Sequence, residues 1–228
     1  MERQLNAVVL LARHGETLWN EMRLIQGRTD VALSDTGREQ AQALTVALAS
    51  IPLSSIYCSP LLRARETAKI LATPHEIVTK VDEGFVEINF GEWEGKTHSA
   101  LRKQFQEQYE RWLLDPGQVE VPRAERFNDV QARVVRSFEG IIRENDGKVV
   151  AIVGHGGVNR TLILSLTQAN SGAFWRLRQD LACLNLIELS AGIPRICLLN
   201  STSHLKTDYR QLVGEAAIRA GISPEKQG

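Results

Sequence analysis

The chain has 228 residues, of which 43% are hydrophobic and 24% charged, and its 27 basic and 27 acidic side chains cancel. These are the proportions of an ordinary globular protein with enough chain for a sizeable core, and they argue against a nucleic-acid or membrane-surface role carried by bulk charge. The opening MERQLN gives no secretory signal and no apolar run approaches membrane-spanning length, so the expected location is the cytoplasm, with neither nucleic acid nor membrane as a partner.

In chain order, Ala7 to Ala12 (AVVLLA) reads as a buried strand that stops abruptly at Arg13, His14, Gly15 and Glu16. Thr17 to Glu21 can form one helical turn that brings Asn20 back over this loop, and Gln26-Gly27-Arg28-Thr29-Asp30 is turn-rich surface loop. A helix opens near Ser34, with Thr36 and Glu39 at capping-box spacing and Ala41, Leu44, Ala47 and Leu48 as its apolar face, and it ends before Pro52. Ser55 to Cys58 is a second strand. Pro60 suits the first turn of the helix that follows, Leu61 to about Leu71, which carries Arg63 near its start.

The β-branched alternation of Ile77 to Val81 predicts a third strand, leading into the acidic, aromatic and glycine-rich loop Gly84 to Gly95. Thr97 to Leu113 reads as one amphipathic helix closed by Asp115-Pro116-Gly117, and Pro122 to Glu125 as loop. Arg126 to Asn145 is a strongly amphipathic helix through Val130, Val134, Phe138, Ile141 and Ile142. Lys148 to Val153 is another continuous apolar strand, stopping at Gly154-His155-Gly156-Gly157, and helix resumes from Val158 to about Leu166. Cys183 to Leu189 and Arg195 to Leu199 form a hairpin around Ala191-Gly192, and the tail from Lys206 is a loose helix or disordered. Cys58, Cys183 and Cys197 lack CxxC spacing and are expected as buried free thiols. The βαβα order predicts one α/β domain over 1–228, a three-layer sandwich with a mostly parallel sheet and helices on both faces.

Two buried strands thus end in histidine flanked by glycine, at His14 and His155. In a parallel sheet all strand carboxyl ends share one edge, so both imidazoles can converge in one crevice. His75 and His98 read as surface loop residues, and the place of His204 is left open. Histidines beside arginines suit phosphoryl transfer, which asks chiefly for positioning and for neutralising phosphoryl oxygens. Arg13 and Arg63 supply planar donor forks, and a protonated His155 would add a third cation. His14 would attack as the neutral imidazole, its other ring nitrogen fixed on a carbonyl. The leaving alkoxide needs an acid. Glu87, among Phe85, Ile88 and Phe90, is the candidate, kept protonated by desolvation, although spacing alone leaves Asp82, Glu83, Glu92, Glu94 and Glu16 open.

Arg13-His14-Gly15-Glu16-Thr17 with Asn20 resembles the RHGET signature of the histidine phosphatase superfamily, in its phosphoglycerate mutase-like branch. The resemblance continues through Leu33 to Gly37, Ser59 to Ala68, Glu87 to Gly95 and Gly154 to Gly157, from Ala7 to Leu205. It implies that His14 is the phosphorylated residue and Glu87 the proton donor. It implies further that Arg13, Arg63 and His155 hold the phosphoryl group, with Asn20, Gln26, Gly27 and Gly156 lining its pocket, and that no metal or cofactor is needed. Phe90 to Thr97 departs from the YGxLxGLNK-like segment of the cofactor-dependent mutases, and the connection before Arg126 is short. Both features resemble the phosphatases. Pro122 to Phe127, Phe174 to Arg176 and Leu199 to Leu205 resemble α-ribazole-5′-phosphate phosphatases of cobalamin biosynthesis, although Arg123 and Ala124 replace the glycines of a PGGE-like segment. The expected partner is accordingly a small phosphomonoester, with a homodimer compatible with the sequence. The alternatives are a broad-specificity sugar-phosphate or phosphoglycerate phosphatase, then a mutase, then a non-catalytic binder of phosphorylated ligands.

Overall fold

The computed structural model describes residues 5–205; the expectation for the tail beyond them lies outside the described residues. Its centre is a six-stranded sheet in the order β3-β2-β4-β1-β5-β6. The strands are β1 (Ala7–Arg13), β2 (Ser55–Cys58), β3 (Lys80–Val81), β4 (Lys148–Gly154), β5 (Leu184–Ser190) and β6 (Ile193–Ser201). The first four pair in parallel, whereas β5 runs antiparallel to β1 and β6 closes the predicted hairpin.

Strand alternation divides the core. Val9 and Leu11 face α6 (Phe127–Glu144) and α7 (Gly156–Leu166), packing with Phe138, Ile141 and Leu162. Leu10 and Ala12 face α2 (Asp35–Leu48) and α3 (Leu62–Ala72), packing with Leu44, Ala64 and Leu71. Both faces of β1 and β4 are therefore covered, which is why their sequences are continuously apolar. The three-layer, mostly parallel expectation is met.

Register sets the functional edge. Arg13 lies opposite Gly154 and Cys58 opposite Val153, so β1, β2 and β4 end at the same level. His14 N donates to Gly154 O and Ser59 N to Val153 O, which delivers His14, Ser59 and His155 side by side. A smaller core of Ile25, Trp93, Leu101, Tyr109 and Trp112 stands above this edge, built around α4 (His98–Gln104) and α5 (Gln106–Leu114).

Several boundaries differ from expectation. Only Lys80 and Val81 of the third strand pair with β2; Ile77 packs against the core beside α3, but Val78 on the opposite face is 86% exposed. The helix expected over Thr97 to Leu113 breaks at Phe105 (φ −133°, ψ 41°), whose ring turns toward Trp93. α2 starts two residues earlier than a Thr36 cap requires, because Ser34 accepts from Gly37 N. The capping box is instead at Thr17 and Asn20, on α1 (Leu18–Glu21). Pro60 precedes the cap of α3 rather than entering its first turn, and α7 starts at Gly156 with His155 as its cap. Cys58 and Cys183 are buried free thiols, but Cys197 is exposed because β6 is an edge strand.

Candidate active site

A cavity of about 170 Å³ opens at the shared strand edge, lined among others by Arg13, His14, Asn20, Gln26, Gly27 and Arg63. Glu87, Gly156 and Gly157 complete its inner wall. The sequence-predicted residues converge there, with one change: His155 is fully buried just behind the lining rather than on it.

His14 leaves β1 with 2% of its surface exposed. Its Nδ1 lies 2.7 Å from Gly15 O; only a protonated Nδ1 can donate to a carbonyl, so Nε2 keeps its lone pair. Burial, then the charges of Arg63 and Arg13, push its pKa well below the usual histidine value, against the pull of the Gly15 carbonyl. The neutral imidazole expected from sequence is what this environment favours.

His155 is also neutral. Burial first, then Arg63, His14 and Arg13, hold it well below its ordinary pKa. Its Nδ1 accepts from Arg63 Nε at 3.2 Å, and its Nε2 donates to Ser59 Oγ at 2.7 Å. In the empty site it is therefore not the third cation anticipated from sequence, because the low-dielectric interior beside two arginines disfavours a further positive charge.

The arginines are held by backbone acceptors. Arg13 Nη1 donates to Gln179 O at 2.7 Å, and its Nε is buried without a partner. Arg63 donates from Nη1 to Thr29 O and from Nη2 to Gly27 O, and burial brings its pKa down to about 10. Both remain cations at neutral pH. Asn20 uses its side-chain oxygen to accept from Thr17. Gln26 is buried with Oε1 unpartnered.

Glu87 stands apart from the other candidate acids. It is 9% exposed, Oε1 accepts from Ile88 N and Val158 N, and Oε2 accepts from Gly157 N at 3.0 Å. Glu94 is a staple rather than an acid of the cavity: it accepts from Arg28 N, Thr29 N, Thr29 Oγ1 and Phe90 N, tying two loops together. Glu16 accepts from Ser34 Oγ beside the start of α2. Among the described residues no cluster of three or more His, Cys, Asp and Glu could hold a metal ion.

A family model described as the histidine phosphatase superfamily (branch 1) matches residues 9–202. The chain belongs to this family. A bifunctional protein of Mycobacterium tuberculosis is 35% identical over 86% of this chain, and the chain spans about half (54%) of that relative's length. Phosphoserine phosphatase 1 of Hydrogenobacter thermophilus is 29% identical over 88% of this chain and 95% of its own. The adenosylcobalamin/alpha-ribazole phosphatase of Salmonella typhimurium is 30% identical over 84% of this chain and 95% of its own. The solved structure of Bacillus stearothermophilus YhfR matches with a TM-score of 0.83 at 33% identity, covering 87% of this chain and 99% of that one.

In this member of the family, sequence reasoning missed two lining residues. Arg160 lines the cavity one helical turn after Gly156; its i+4 spacing from that glycine was the available signal. His98, expected in a surface loop, is the first residue of α4, lines the cavity mouth, and has Nδ1 2.7 Å from the Tyr109 hydroxyl. The aromatic wall that the sequence offers in Trp112, Phe127 and Trp175 forms in part: Trp112 and Trp175 line the cavity with Phe90 and Phe174, their ring centroids 4.5 Å apart, whereas Phe127 packs behind on Phe174. His75, also expected in a loop, lies in a short 3₁₀ turn away from the cavity. His204 has Nε2 3.0 Å from Ala182 O, and Ala182 N donates to His14 O, so His204 braces the His14 backbone.

Proposed function

We propose that this chain is a phosphomonoester hydrolase that needs no metal and transfers the phosphoryl group first to His14 and then to water. The observation that carries this reading is His14 itself: buried, neutral, and fixed through Nδ1 so that Nε2 is the free lone pair in a cavity lined by arginines. Nε2 attacks phosphorus as the bond to the ester oxygen breaks, and Glu87 gives that oxygen its proton. Of the two carboxyl oxygens, Oε2 accepts only one backbone N–H, so it retains the lone pair that can carry the proton. Water then attacks the phosphohistidine, Glu87 recovers a proton from it, and His14 and orthophosphate are released. Arg13 and Arg63 hold the phosphoryl oxygens, backed by His155, which braces Arg63 and gains a proton as the dianion binds, with Asn20, Gln26, Gly27 and Gly156 around them.

The substrate we propose is α-ribazole 5′-phosphate. Support comes from the Salmonella relative and from the wall of Phe90, Trp112, Phe174 and Trp175 beside the cavity, which suits a flat base-like leaving group. The test is a panel of α-ribazole 5′-phosphate, phosphoserine, 3-phosphoglycerate and sugar phosphates, with acid-quench trapping of phosphohistidine. We expect the highest kcat/KM on the ribazole compound, label on His14, and loss of both in His14→Ala. Phosphate release by His14→Ala at the wild-type rate overturns the mechanism; a higher kcat/KM on phosphoserine overturns the substrate.

A further inference from the structure

Arg160 has no place in the scheme above. It is half-buried one turn into α7, and its side chain runs back toward the helix start. Nη1 donates to Gly156 O at 3.1 Å and Nε to Leu177 O at 2.6 Å, while Nη2 has no acceptor among the described residues. The guanidinium lies 5.5 Å from the Phe174 ring centroid and 5.2 Å from that of Trp175. Among the described residues its hydrogen bonds go to backbone carbonyls rather than to a carboxylate. Burial, then the charge of Arg13, brings its pKa down to about 10, so it remains a cation.

Gly156 marks where Arg160 and Arg13 meet. A Cβ there would lie 3.2 Å from Arg160 Nη1 and 3.4 Å from Arg13 Nε. Two guanidinium groups thus close on one patch of cavity-lining backbone, and the Arg13 Nε that faces it is buried without an acceptor. Like charges held this close in a dry setting repel. An oxyanion between them removes the repulsion, satisfies the orphaned Nε and takes up the free Nη2.

We propose that Arg160 is a further ligand of the phosphoryl group, sharing a non-bridging oxygen with Arg13 across Gly156. The proposal rests on the phosphatase reading, since it assigns a ligand to the same oxyanion. The group it recognises is the dianionic phosphate, whatever the leaving group.

Orthovanadate and orthophosphate carry no leaving group, so they isolate this contact. In Arg160→Gln we expect inhibition by both to weaken at least tenfold. The kcat/KM values for p-nitrophenyl phosphate and α-ribazole 5′-phosphate should fall by a common factor. Arg160→Lys should recover part of the loss. Unchanged vanadate inhibition in Arg160→Gln overturns the proposal, whatever happens to turnover. Calorimetric phosphate binding in His14→Ala, with and without Arg160→Gln, separates this from a failure of the phosphohistidine mechanism, because it needs no turnover. If the variants do not fold, the unaltered protein is treated with phenylglyoxal and Arg160 modification is followed by peptide mass. Orthophosphate should slow that modification several-fold, and equal rates with and without it overturn the proposal.

Discussion

The His14 and His155 rings lie with centroids 5.1 Å apart and planes tilted by 58°, and their neighbours fix opposite tautomers. His14 donates its Nδ1–H to Gly15 O, whereas His155 accepts at Nδ1 from Arg63 and donates through Nε2 to Ser59. One ring therefore presents a lone pair to the cavity, and the other serves as an uncharged brace for a cavity-lining arginine. A phosphate dianion reverses the balance for His155, because a negative charge nearby favours its protonated form.

In the empty site both imidazoles should stay neutral well below pH 6.5, since burial beside Arg63 and Arg13 lowers both pKa values. On unfolding they regain ordinary values, so below pH 6.5 the unfolded chain binds protons that the folded chain refuses. Stability is then full above pH 6.5 and falls as pH drops toward the folded pKa values, with a limiting slope of about 2.7 kcal/mol per pH unit for two protons. Urea midpoints at pH 7.5, 6.5 and 5.5 test the slope. Histidine ring NMR shifts at pH 6 should show two neutral rings; charged rings there would contradict this account.

Glu87→Gln removes the proton but keeps the shape and one acceptor. Loss should scale with how badly the leaving group needs protonation: roughly 10²- to 10⁴-fold in kcat/KM for an alkyl phosphate, and much less for p-nitrophenyl phosphate, whose phenolate leaves unaided. Equal losses on the two substrates would mean that Glu87 only shapes the cavity.

Much of this site was legible because its residues follow buried strands. His14 and His155 sit where continuous apolar runs stop at glycine, and parallel pairing forces such stops to one edge. Glu87 was harder, since its burial comes from docking on the α7 backbone 70 residues away. Arg160 was invisible because its role depends on where α7 begins, and the sequence signal put that start two residues late. The third strand failed for a related reason: β-branched residues favour strands chiefly where a face is buried, and Val78 has none.

Gly15 and Gly37 hold the His14 loop against α2 backbone to backbone. A Cβ on Gly15 would fall on Gly37 O, and one on Gly37 would fall on Glu16 O. Gly15→Ala should therefore cost about 1–3 kcal/mol by overpacking and lower kcat by displacing His14. Gly140→Ala is the control, because its added methyl meets nothing within 4 Å inside α6, and it should leave activity alone while raising stability by up to about 1 kcal/mol. Thermal melts and kcat for the two variants decide the matter, and similar behaviour in both would refute it.

Glu125 is the remaining test, because it governs the loop that carries the proposed acid. Its carboxylate takes Arg133 Nε at 2.7 Å and Nη2 at 2.9 Å, and Arg28 Nη2 at 3.0 Å. Arg133 in turn donates to Gly84 O, Val86 O and Glu87 O, and Arg28 Nε donates to Glu87 O. Burial pushes the Glu125 pKa up, but the hydrogen bond and charge of Arg133, with Arg28, outweigh it and hold it below its ordinary value. The pair therefore stabilises the fold at neutral pH, and that contribution is lost as pH falls through the lowered pKa. Glu125→Gln leaves two inward-facing cations with a weaker acceptor. With side-chain exposures of 18% and 14% for Arg133 and Glu125, the loss belongs at the low end for a buried pair, about 3 kcal/mol. If the cluster positions Glu87, the variant should copy the selective loss on alkyl phosphates expected for Glu87→Gln, at smaller amplitude. It should leave orthovanadate inhibition unchanged, because the phosphate cup is built from other strands. A lower melting temperature with no leaving-group dependence would make Glu125 purely structural.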